Sequence, residues 1–333
     1  MGEPMTDRRN LLAGALGVVA CPSATGAAVK PEIIGEGFQF PEGPVAFPDG
    51  SLVFVEVARG TLTRLWGGGR SEVVANLGGG PNGASLGPDG AIYVCNNGGL
   101  KPVPQPDGRI LLTAELSSDY SGGRIERVDL ASRKVERLYS EAGRQGLRGP
   151  NDLVFDRTGG FWFSDFGKAE GLRRDFSALY YARADGSRIA VAVPNGLSFN
   201  GIGLSPDETT VYVADTYSAR LWAYDLESPG MIRKASDGSP ARRLAATIPG
   251  DIHIDGLSMT ASGAAVVATI GRGLTSVKPD GSMQLTPLSE TLVNDLCFGG
   301  SDRRDVYVTL PRLGAIGRLR WPEPGRALNF NPY

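Results

Sequence analysis

The fold is decided by the stretch Asn200-Gly201-Ile202-Gly203-Leu204-Ser205-Pro206-Asp207 and by the run Val211-Tyr212-Val213-Ala214-Asp215 that follows it. Alternating apolar residues in both runs predict β-strands, and the Ser-Pro-Asp segment between them predicts a tight turn. The stretch opens with an amide side chain, and the glycine behind it lets the backbone turn closely. The pattern therefore predicts a β-hairpin with a side-chain oxygen at its start.

The same pattern occurs six times along the chain. Every copy opens with a residue that carries a side-chain oxygen and continues through a strand, a turn and a second strand. We call the opening residues the lead residues, and they are Glu42, Asn82, Asn151, Asn200, Asp255 and Asn294. Repeats of four short strands, roughly forty to seventy residues apart, are typical of β-propellers. Six copies predict an all-β fold, namely a six-bladed β-propeller.

In such a propeller the lead residues would converge on one central channel, where they would offer oxygen but no sulfur or imidazole. The carboxylates of Glu42 and Asp255, with the amide oxygens of Asn151 and Asn200, suit one divalent cation. Ca²⁺ fits this set best, with Mg²⁺, Mn²⁺ or Zn²⁺ as alternatives. A single Asn-Gly or Asp-Gly pair is more often a simple turn former. Six copies at the same place favour a site.

Histidine chemistry is limited to one residue, His253. It lies two residues before Asp255, hence on the same face of an extended strand, so it either contacts substrate or packs as an ordinary histidine. No Gly-x-Ser-x-Gly elbow accompanies it, which argues against a serine triad. Aromatic side chains could line the channel too, although core packing is their default role. The candidates are Phe166, Tyr217 and Trp162.

Composition agrees with a turn-rich β protein. The 333 residues include 47 glycines and 23 prolines, and the net charge is −2. Neither the charge nor any motif indicates nucleic-acid binding. Cys95 and Cys297 fall in predicted strands of blades that are not neighbours, so we expect free buried thiols.

Residues 1–30 are predicted to be an export leader, and residues 31–333 the propeller domain. Arg8-Arg9 precede a short apolar stretch that resembles a twin-arginine signal and is too short to cross a bilayer as a helix. A periplasmic or secreted protein is expected, with lipoprotein anchoring at Cys21 or a disordered cytoplasmic leader as alternatives.

Two further segments have predicted roles. The segment from Ile33 to Phe40 is predicted to pair with the last blade and so remove an exposed sheet edge. A proline-rich insertion between Asn96 and Gly123 is either a lid over the channel or a loop elsewhere on the surface.

Several motifs together resemble the SMP-30/gluconolactonase/luciferin-regenerating-enzyme-like (LRE) family over roughly residues 33 to 320. They are Glu42-Gly43-Pro44, Pro150-Asn151-Asp152, Asn200-Gly201, Asp255-Gly256 and Cys297-Phe298-Gly299-Gly300. The resemblance implies a six-bladed propeller with one divalent cation at the channel mouth. Members of the family hydrolyse lactones, and some hydrolyse organophosphates.

The resemblance also implies roles for single residues. Glu42, Asn200 and Asp255 match the metal ligands, and Asn151 matches an asparagine that reaches the metal or the substrate. Asp255 further matches a carboxylate proposed as general base or nucleophile. Several lactonases place an arginine two residues before the third-blade asparagine. Here Gly149 holds that position, which counts against aldonolactone specificity.

Four residues are expected to contact the substrate in addition to Asn151: Asn82, Asn294, His253 and Arg148. Arg148 is the arginine nearest to position 149, where several lactonases have one. The expected function is a metal-dependent lactonase or ester hydrolase with Asp255 as general base and a small-molecule substrate. Two alternatives are a non-catalytic binding platform with a structural metal, and a phosphotriesterase-like or other reaction at the same site. The sequence indicates no oligomeric state.

Overall fold

The computed structural model describes residues 23–24, 27–290 and 292–331 of the chain. Within these residues the protein is all-β, as predicted, and the only helical segment is a 3-10 turn at Gly67–Gly69. The twin-arginine pair and Cys21 lie outside the described residues, so the export leader stays a prediction. No helix in the described ranges has the length and apolar character needed to cross a membrane.

Six antiparallel sheets follow one another along the chain, and we number them from 1 to 6. Sheet 1 contains Pro41–Ala46, Leu52–Glu56, Thr61–Leu65 and Ser71–Asn76. Sheet 2 contains Pro81–Leu86, Ile92–Asn96, Arg124–Val128 and Val135–Tyr139. Sheet 3 contains Pro150–Phe155, Gly160–Asp165, Ser177–Arg183 and Ile189–Gly196.

The remaining sheets have the same plan. Sheet 4 contains Phe199–Leu204, Thr210–Asp215, Arg220–Ser228 and Arg242–Thr247, with Met231–Ile232 as an extra short strand. Sheet 5 contains Ile254–Met259, Ala265–Thr269, Gly273–Val277 and Met283–Pro287. Sheet 6 contains Leu296–Gly299, Asp305–Leu310, Ala315–Arg320 and the N-terminal strand Glu32–Glu36. The first strands of sheets 1 to 5 each carry a lead residue, and that of sheet 6 begins two residues after Asn294.

The N-terminal strand confirms one prediction. Glu32–Glu36 pairs antiparallel with Ala315–Arg320, so the two ends of the chain share sheet 6. Pairing also extends further back, because Ser23–Ala24 runs parallel to the last strand of sheet 5. The backbone N–H of Val29 donates a hydrogen bond to the carbonyl oxygen of Pro287 at 2.8 Å.

The core is divided among the sheets rather than gathered in one place. Six apolar clusters are found in the described chain, and each lies between two consecutive sheets; the last one joins sheet 6 to sheet 1. In that cluster, Phe54 of sheet 1 packs with Tyr307 and Ile316 of sheet 6. The first strands also contact one another in the same order, and that of sheet 6 contacts that of sheet 1. Because successive side chains of a strand point to opposite faces, each sheet packs apolar side chains against both of its neighbouring sheets.

The insertion predicted between Asn96 and Gly123 is an ordered hairpin. We call it the insertion hairpin, and its strands are Leu100–Pro104 and Ile110–Leu116. It pairs with Ala169–Glu170 of a small outer hairpin, whose second strand is Arg173–Arg174. Gln39 contacts the insertion hairpin near its turn, because Gln39 Oε1 accepts a hydrogen bond from the backbone N–H of Ile110 at 3.1 Å. A separate two-stranded hairpin joins Glu141–Ala142 to Gln145–Gly146.

Candidate functional site

One cavity of about 250 Å³ opens where the first strands of the sheets begin. All six lead residues line it, although they come from positions as far apart as 42 and 294 in the chain. His253 lines it as well, so seven of the eight residues predicted to form the site surround one space. The described structure therefore brings together the predicted side-chain oxygens.

The glycine that follows a lead residue explains how the first strands approach so closely. A β-carbon at Gly43 would lie 2.5 Å from the carbonyl oxygen of Asn82, and one at Gly83 would lie 2.6 Å from that of Asn151. The same holds for Gly201, where the distance to the carbonyl oxygen of Asp255 would be 2.5 Å. Because any larger residue would collide with the neighbouring backbone, glycine at this place keeps neighbouring lead residues together.

Sheets 3 and 6 use an aspartate where the others have that glycine. Asp152 Oδ2 accepts a hydrogen bond from the backbone N–H of Ile202 at 3.0 Å, which joins sheet 3 to sheet 4. Asp295 accepts one from the backbone N–H of Gly43, which joins sheet 6 to sheet 1. Burial raises the pKa of Asp152 to about 7 and that of Asp295 well above its usual value. Two further acids thus lie next to lead residues without lining the cavity.

Glu42 is buried, with 5% of its surface exposed. Burial raises the pKa of Glu42 well above 4.5, and repulsion from Asp255, Asp295 and Asp152 raises it further. The Asn294 side chain donates a hydrogen bond to the Glu42 carboxylate, which acts in the opposite direction. No cation of the described chain is among these causes. The Glu42 carboxylate therefore stands in a strongly negative, desolvated place.

Asp255 is partly buried and lies beside Asn200. The Asn200 side-chain amide donates hydrogen bonds to the Asp255 carboxylate and to Thr216 Oγ1, the latter at 3.0 Å. Burial raises the pKa of Asp255 to about 7; the hydrogen bond from Asn200 lowers it and the charge of Asp152 raises it. A carboxylate in this state accepts a proton more readily than an exposed one near neutral pH.

The amide side chains complete the oxygen set. Asn82 and Asn151 are partly buried and face the cavity, and Asn294 is buried. Asn294 Oδ1 is buried without a hydrogen-bond partner. An orphaned oxygen of this kind is costly to bury and points to a missing donor or cation.

Aromatic groups form one side of the cavity. Tyr217 packs edge-on against His253, with ring centroids 5.0 Å apart, and also contacts Phe166 at 5.7 Å. The guanidinium of Arg174 lies over the rings of both Tyr217 and Phe166, at 4.2 and 4.8 Å. Of the three aromatic candidates, Phe166 and Tyr217 thus line the cavity, whereas Trp162 is fully buried in the core.

Arg148 is the one predicted site residue that does not line the cavity. Its Nε donates to Asp175 Oδ2 at 2.8 Å, and its guanidinium lies over the ring of Tyr120. The side chain is exposed to solvent. Its backbone, however, is close to the site, because Gly149 is part of the lining.

Besides Thr113 and Thr216, sequence reasoning missed two polar residues in the cavity, Lys168 and Asn97. Both are buried, and Lys168 Nζ donates to Asn97 Oδ1 at 3.1 Å and to the carbonyl oxygen of Gly99 at 3.0 Å. Neither residue holds the lead position that recurs in the six copies, so the repeats gave no signal for them. The sequence also did not predict the apolar wall of the cavity. This wall includes Leu100, Leu112 and Ala114 of the insertion hairpin.

The donor set fits a hard cation better than a transition metal. Among the described residues, no group of three or more His, Cys, Asp or Glu side chains is arranged to hold a metal ion. Any cation here would depend on amide oxygens in addition to the carboxylates of Glu42 and Asp255. Two carboxylates without a counter-charge and one orphaned amide oxygen match the needs of an oxygen-ligated divalent ion.

Comparison with known proteins identifies the family of this chain. Residues 40–312 match the SMP-30/Gluconolactonase/LRE-like region. A gluconolactonase of Zymomonas mobilis is 26% identical over 211 residues, which is 60% of this chain and 56% of that protein. Lactonase drp35 of Staphylococcus saprophyticus is 34% identical over 126 residues, or 38% of this chain and 37% of that one. The matched part thus spans little more than half the length of the first relative and about a third of the second.

Solved structures share the fold. A gluconolactonase of Xanthomonas campestris superposes with a TM-score of 0.67 at 20% identity, covering 92% of this chain and 99% of the other. Regucalcin of Agrobacterium tumefaciens, a calcium-binding protein, gives a TM-score of 0.68 at 18% identity with the same coverage. Such low identity establishes likeness of fold alone. Since the family pattern spans most of the chain, this protein belongs to the SMP-30/gluconolactonase/LRE-like family.

Proposed function

We propose that this protein is a divalent-cation-dependent lactonase built on a closed six-bladed propeller. The cyclic order of the apolar clusters and of the first strands supports the closed ring. The lactonase relatives support the reaction class. The single observation that carries the proposal is the meeting of six side-chain oxygen donors, from six sheets, in one cavity.

The cation would be held by Glu42, Asp255, Asn151 and Asn200, and Ca²⁺ is the best match for four oxygen donors of this type. The calcium-binding character of the regucalcin neighbour is consistent with that choice. When bound, the ion would polarise a carbonyl group and stabilise negative charge on its oxygen. Glu42 is suited to binding a cation because its buried carboxylate is surrounded by other acids and would be stabilised in its charged form by a positive ion, in addition to the hydrogen bond from Asn294.

Asp255 is the candidate general base. Its carboxylate accepts a proton from water while the water oxygen bonds to the carbonyl carbon of the lactone. The bond between that carbon and the ring oxygen then breaks, and the proton passes from Asp255 to the departing ring oxygen. The products are a carboxylic acid and an alcohol in one molecule. In the cation-free protein burial raises the pKa of Asp255 to about 7. A bound cation would favour the ionised form of this carboxylate, which is the form that accepts the proton from water.

The insertion hairpin gives the cavity an apolar side. Leu100, Leu112 and Ala114 restrict water around a bound substrate, which strengthens electrostatic interactions there. A ring with apolar carbon atoms fits this wall better than a fully hydroxylated sugar lactone. The absence of an arginine side chain at Gly149 agrees with that preference.

The experiment is a panel of sugar, aliphatic and aromatic lactones, followed by acid release at constant pH. The protein is tested after chelation and again after addition of Ca²⁺ or Mn²⁺. Cation-dependent hydrolysis of at least one lactone class is expected. If chelation lowers the melting temperature while no lactone is opened with any cation, the protein is a binding platform and the proposal is wrong.

A further inference from the structure

Lys168 and Asn97 form a second polar group in the cavity, which we call the donor pole. Only 4% of Lys168 and 3% of Asn97 are exposed. Both residues line the same cavity as Glu42 and Asp255. The charges that act on Lys168 come from Asp165, Arg148 and Asp175, whereas those that act on Glu42 come from Asp255, Asp295 and Asp152. Different acids therefore act on the donor pole and on the Glu42 carboxylate.

The donor pole has hydrogen-bonding capacity that the described protein does not use. Lys168 Nζ has three N–H groups and donates hydrogen bonds to two acceptors, Asn97 Oδ1 and the carbonyl oxygen of Gly99. Asn97 Oδ1 also accepts a hydrogen bond from the backbone N–H of Gly99 at 2.9 Å, which fixes the orientation of the amide. Its other end, Nδ2, is buried without a partner. An unpaired buried amide is costly, so a ligand acceptor is expected beside it.

Lys168 also lacks a direct ion-pair partner among the described residues. No carboxylate in the described part of the chain lies within ion-pair distance of Lys168 Nζ. The two nearest acids are engaged elsewhere: Asp165 accepts from the backbone N–H groups of Arg148, Gly149 and Gly167. Asp175 Oδ2 accepts from Arg148 Nε and from the backbone N–H of Lys168.

Burial of this ammonium group lowers the pKa of Lys168 to about 7, despite the attraction of Asp165 and Asp175. A bound anion would compensate the charge and restore a higher pKa, because opposite charges at short range favour both ionised forms. A single ammonium with one amide offers a few donors in a small space. That arrangement suits a compact carboxylate better than a phosphate, which usually recruits several cationic or backbone donors.

We propose that Lys168 and Asn97 bind a carboxylate group carried by the lactone, so that the cavity is built for a carboxylate-bearing lactone. This inference rests on the proposed lactonase function. The cavity then has three parts. The cation-binding oxygens around Glu42 and Asp255 serve the reacting carbonyl, the apolar wall contacts the ring carbons, and the donor pole binds the carboxylate substituent.

The test uses two lactones of the same shape: a γ-butyrolactone with a carboxylate on the ring and the same compound as its primary amide. Wild type, Lys168→Met and Lys168→Arg are compared, and Lys101→Met is the matched control. Lys101 lies on the insertion hairpin and is exposed, and it pairs with Glu115. The readouts are kcat and KM for each lactone, together with the melting temperature of each variant.

The wild type is expected to have a KM for the carboxylate lactone about tenfold below that for the amide, the factor expected of one charge-assisted hydrogen bond. Lys168→Met should abolish this ratio through KM rather than kcat, and Lys168→Arg should restore part of it. Lys101→Met should keep the wild-type ratio. Equal KM values for the two lactones in the wild type, or an unchanged ratio in Lys168→Met, would overturn the proposal.

A non-hydrolysable ligand separates this inference from the lactonase proposal. The carbocyclic ketone with the same carboxylate has a CH₂ group in place of the ring oxygen and cannot be opened. Its binding is measured by calorimetry on the wild type and on Lys168→Met. Binding that depends on Lys168, in a protein that opens no lactone, supports the donor pole while contradicting the hydrolase. Lactone hydrolysis with equal ketone binding by both proteins contradicts the donor pole alone.

Discussion

Gly43 of sheet 1 lies directly against Asn82 of sheet 2, so close that a β-carbon on residue 43 would stand 2.5 Å from the carbonyl oxygen of Asn82. The backbone of Gly43 also has a φ of +54°, in the left-handed region. We therefore expect Gly43→Ala to lower the free energy of unfolding by about 2 to 4 kcal/mol, through both collision and backbone strain. Urea denaturation measures this loss.

Gly50→Ala is the matched control for that prediction. Gly50 has a φ of +77°, but a β-carbon there would meet no atom within 4 Å. Only backbone strain remains, so a loss of about 1 kcal/mol is expected. Equal losses in the two variants would show that close approach of the first strands does not matter.

Asp255→Asn is expected to lower kcat by at least about 10², because a general base typically contributes a factor of 10² to 10⁴. Glu42→Gln should act differently and chiefly weaken binding of the cation, since it removes one carboxylate ligand. Calorimetric titration with Ca²⁺ and lactone kinetics at saturating Ca²⁺ measure the two effects separately.

Glu115→Gln serves as the control for both substitutions, since Glu115 lies on the exposed side of the insertion hairpin and pairs with Lys101. Its Ca²⁺ affinity and kcat should equal those of the wild type. Full turnover by Asp255→Asn with cation in excess, or an unchanged Ca²⁺ affinity of Glu42→Gln, would rule out the assigned roles.

The cation should stabilise the protein more as pH rises. Without a cation, burial raises the pKa of Glu42 well above 4.5 and that of Asp255 to about 7. The folded state then holds more protons than the unfolded state, so stability falls as pH rises from about 4 through 7. A cation binds the deprotonated carboxylates and offsets this loss. Thermal melts with chelator or Ca²⁺ should show a larger gap at pH 8 than at pH 5, and a constant gap would contradict the prediction.

Burial of Lys168 is expected to make the folding stability depend on pH in the opposite direction. Burial lowers its pKa from 10.5 to about 7, against the attraction of Asp165 and Asp175 and with the repulsion of Arg148. Tyr120 also faces the ammonium group. The folded state therefore holds fewer protons than the unfolded state between pH 7 and 10.5, and stability gained from this group rises across that window.

Lys168→Met removes that dependence. Relative to the wild type, the variant should be most stable below pH 7, where the buried charge is fully present, and should lose this advantage toward pH 10. Denaturant melts of both proteins across this range measure the difference. Lys101→Met, at an exposed lysine, should show no such trend. A difference between Lys168→Met and wild type that stays constant with pH would contradict the role of burial.

Repetition made much of the fold predictable from the sequence. Lead residues such as Asn200 and Asp255 recur at one place in each copy, and strand alternation on either side locates the hairpins. The pairing of Glu32–Glu36 with Ala315–Arg320 followed from the need to cover an edge strand. The repeated pattern can be recognised in the sequence because each copy packs between two neighbouring sheets and therefore needs similar residues at equivalent positions.

Features that occur only once were not predictable in this way. Lys168 lies between the second and third strands of sheet 3, and nothing in its sequence neighbourhood shows that it reaches Asn97, which follows the second strand of sheet 2. The position of the insertion hairpin depends on contacts such as that between Gln39 and Ile110, which are 71 residues apart. Arg148 lies beside the site in sequence, yet its side chain turns to Asp175. Long-range contacts of single residues decide the shape of the pocket.

The most direct test of the central claim is a cation titration of chelator-treated protein while lactone ring opening is followed at constant pH. We predict no hydrolysis without added cation, and a rate that rises with Ca²⁺ and saturates at one ion per chain. Full hydrolysis in the presence of chelator, or no hydrolysis at any concentration of Ca²⁺, Mg²⁺, Mn²⁺ or Zn²⁺ across the lactone panel, would contradict the account.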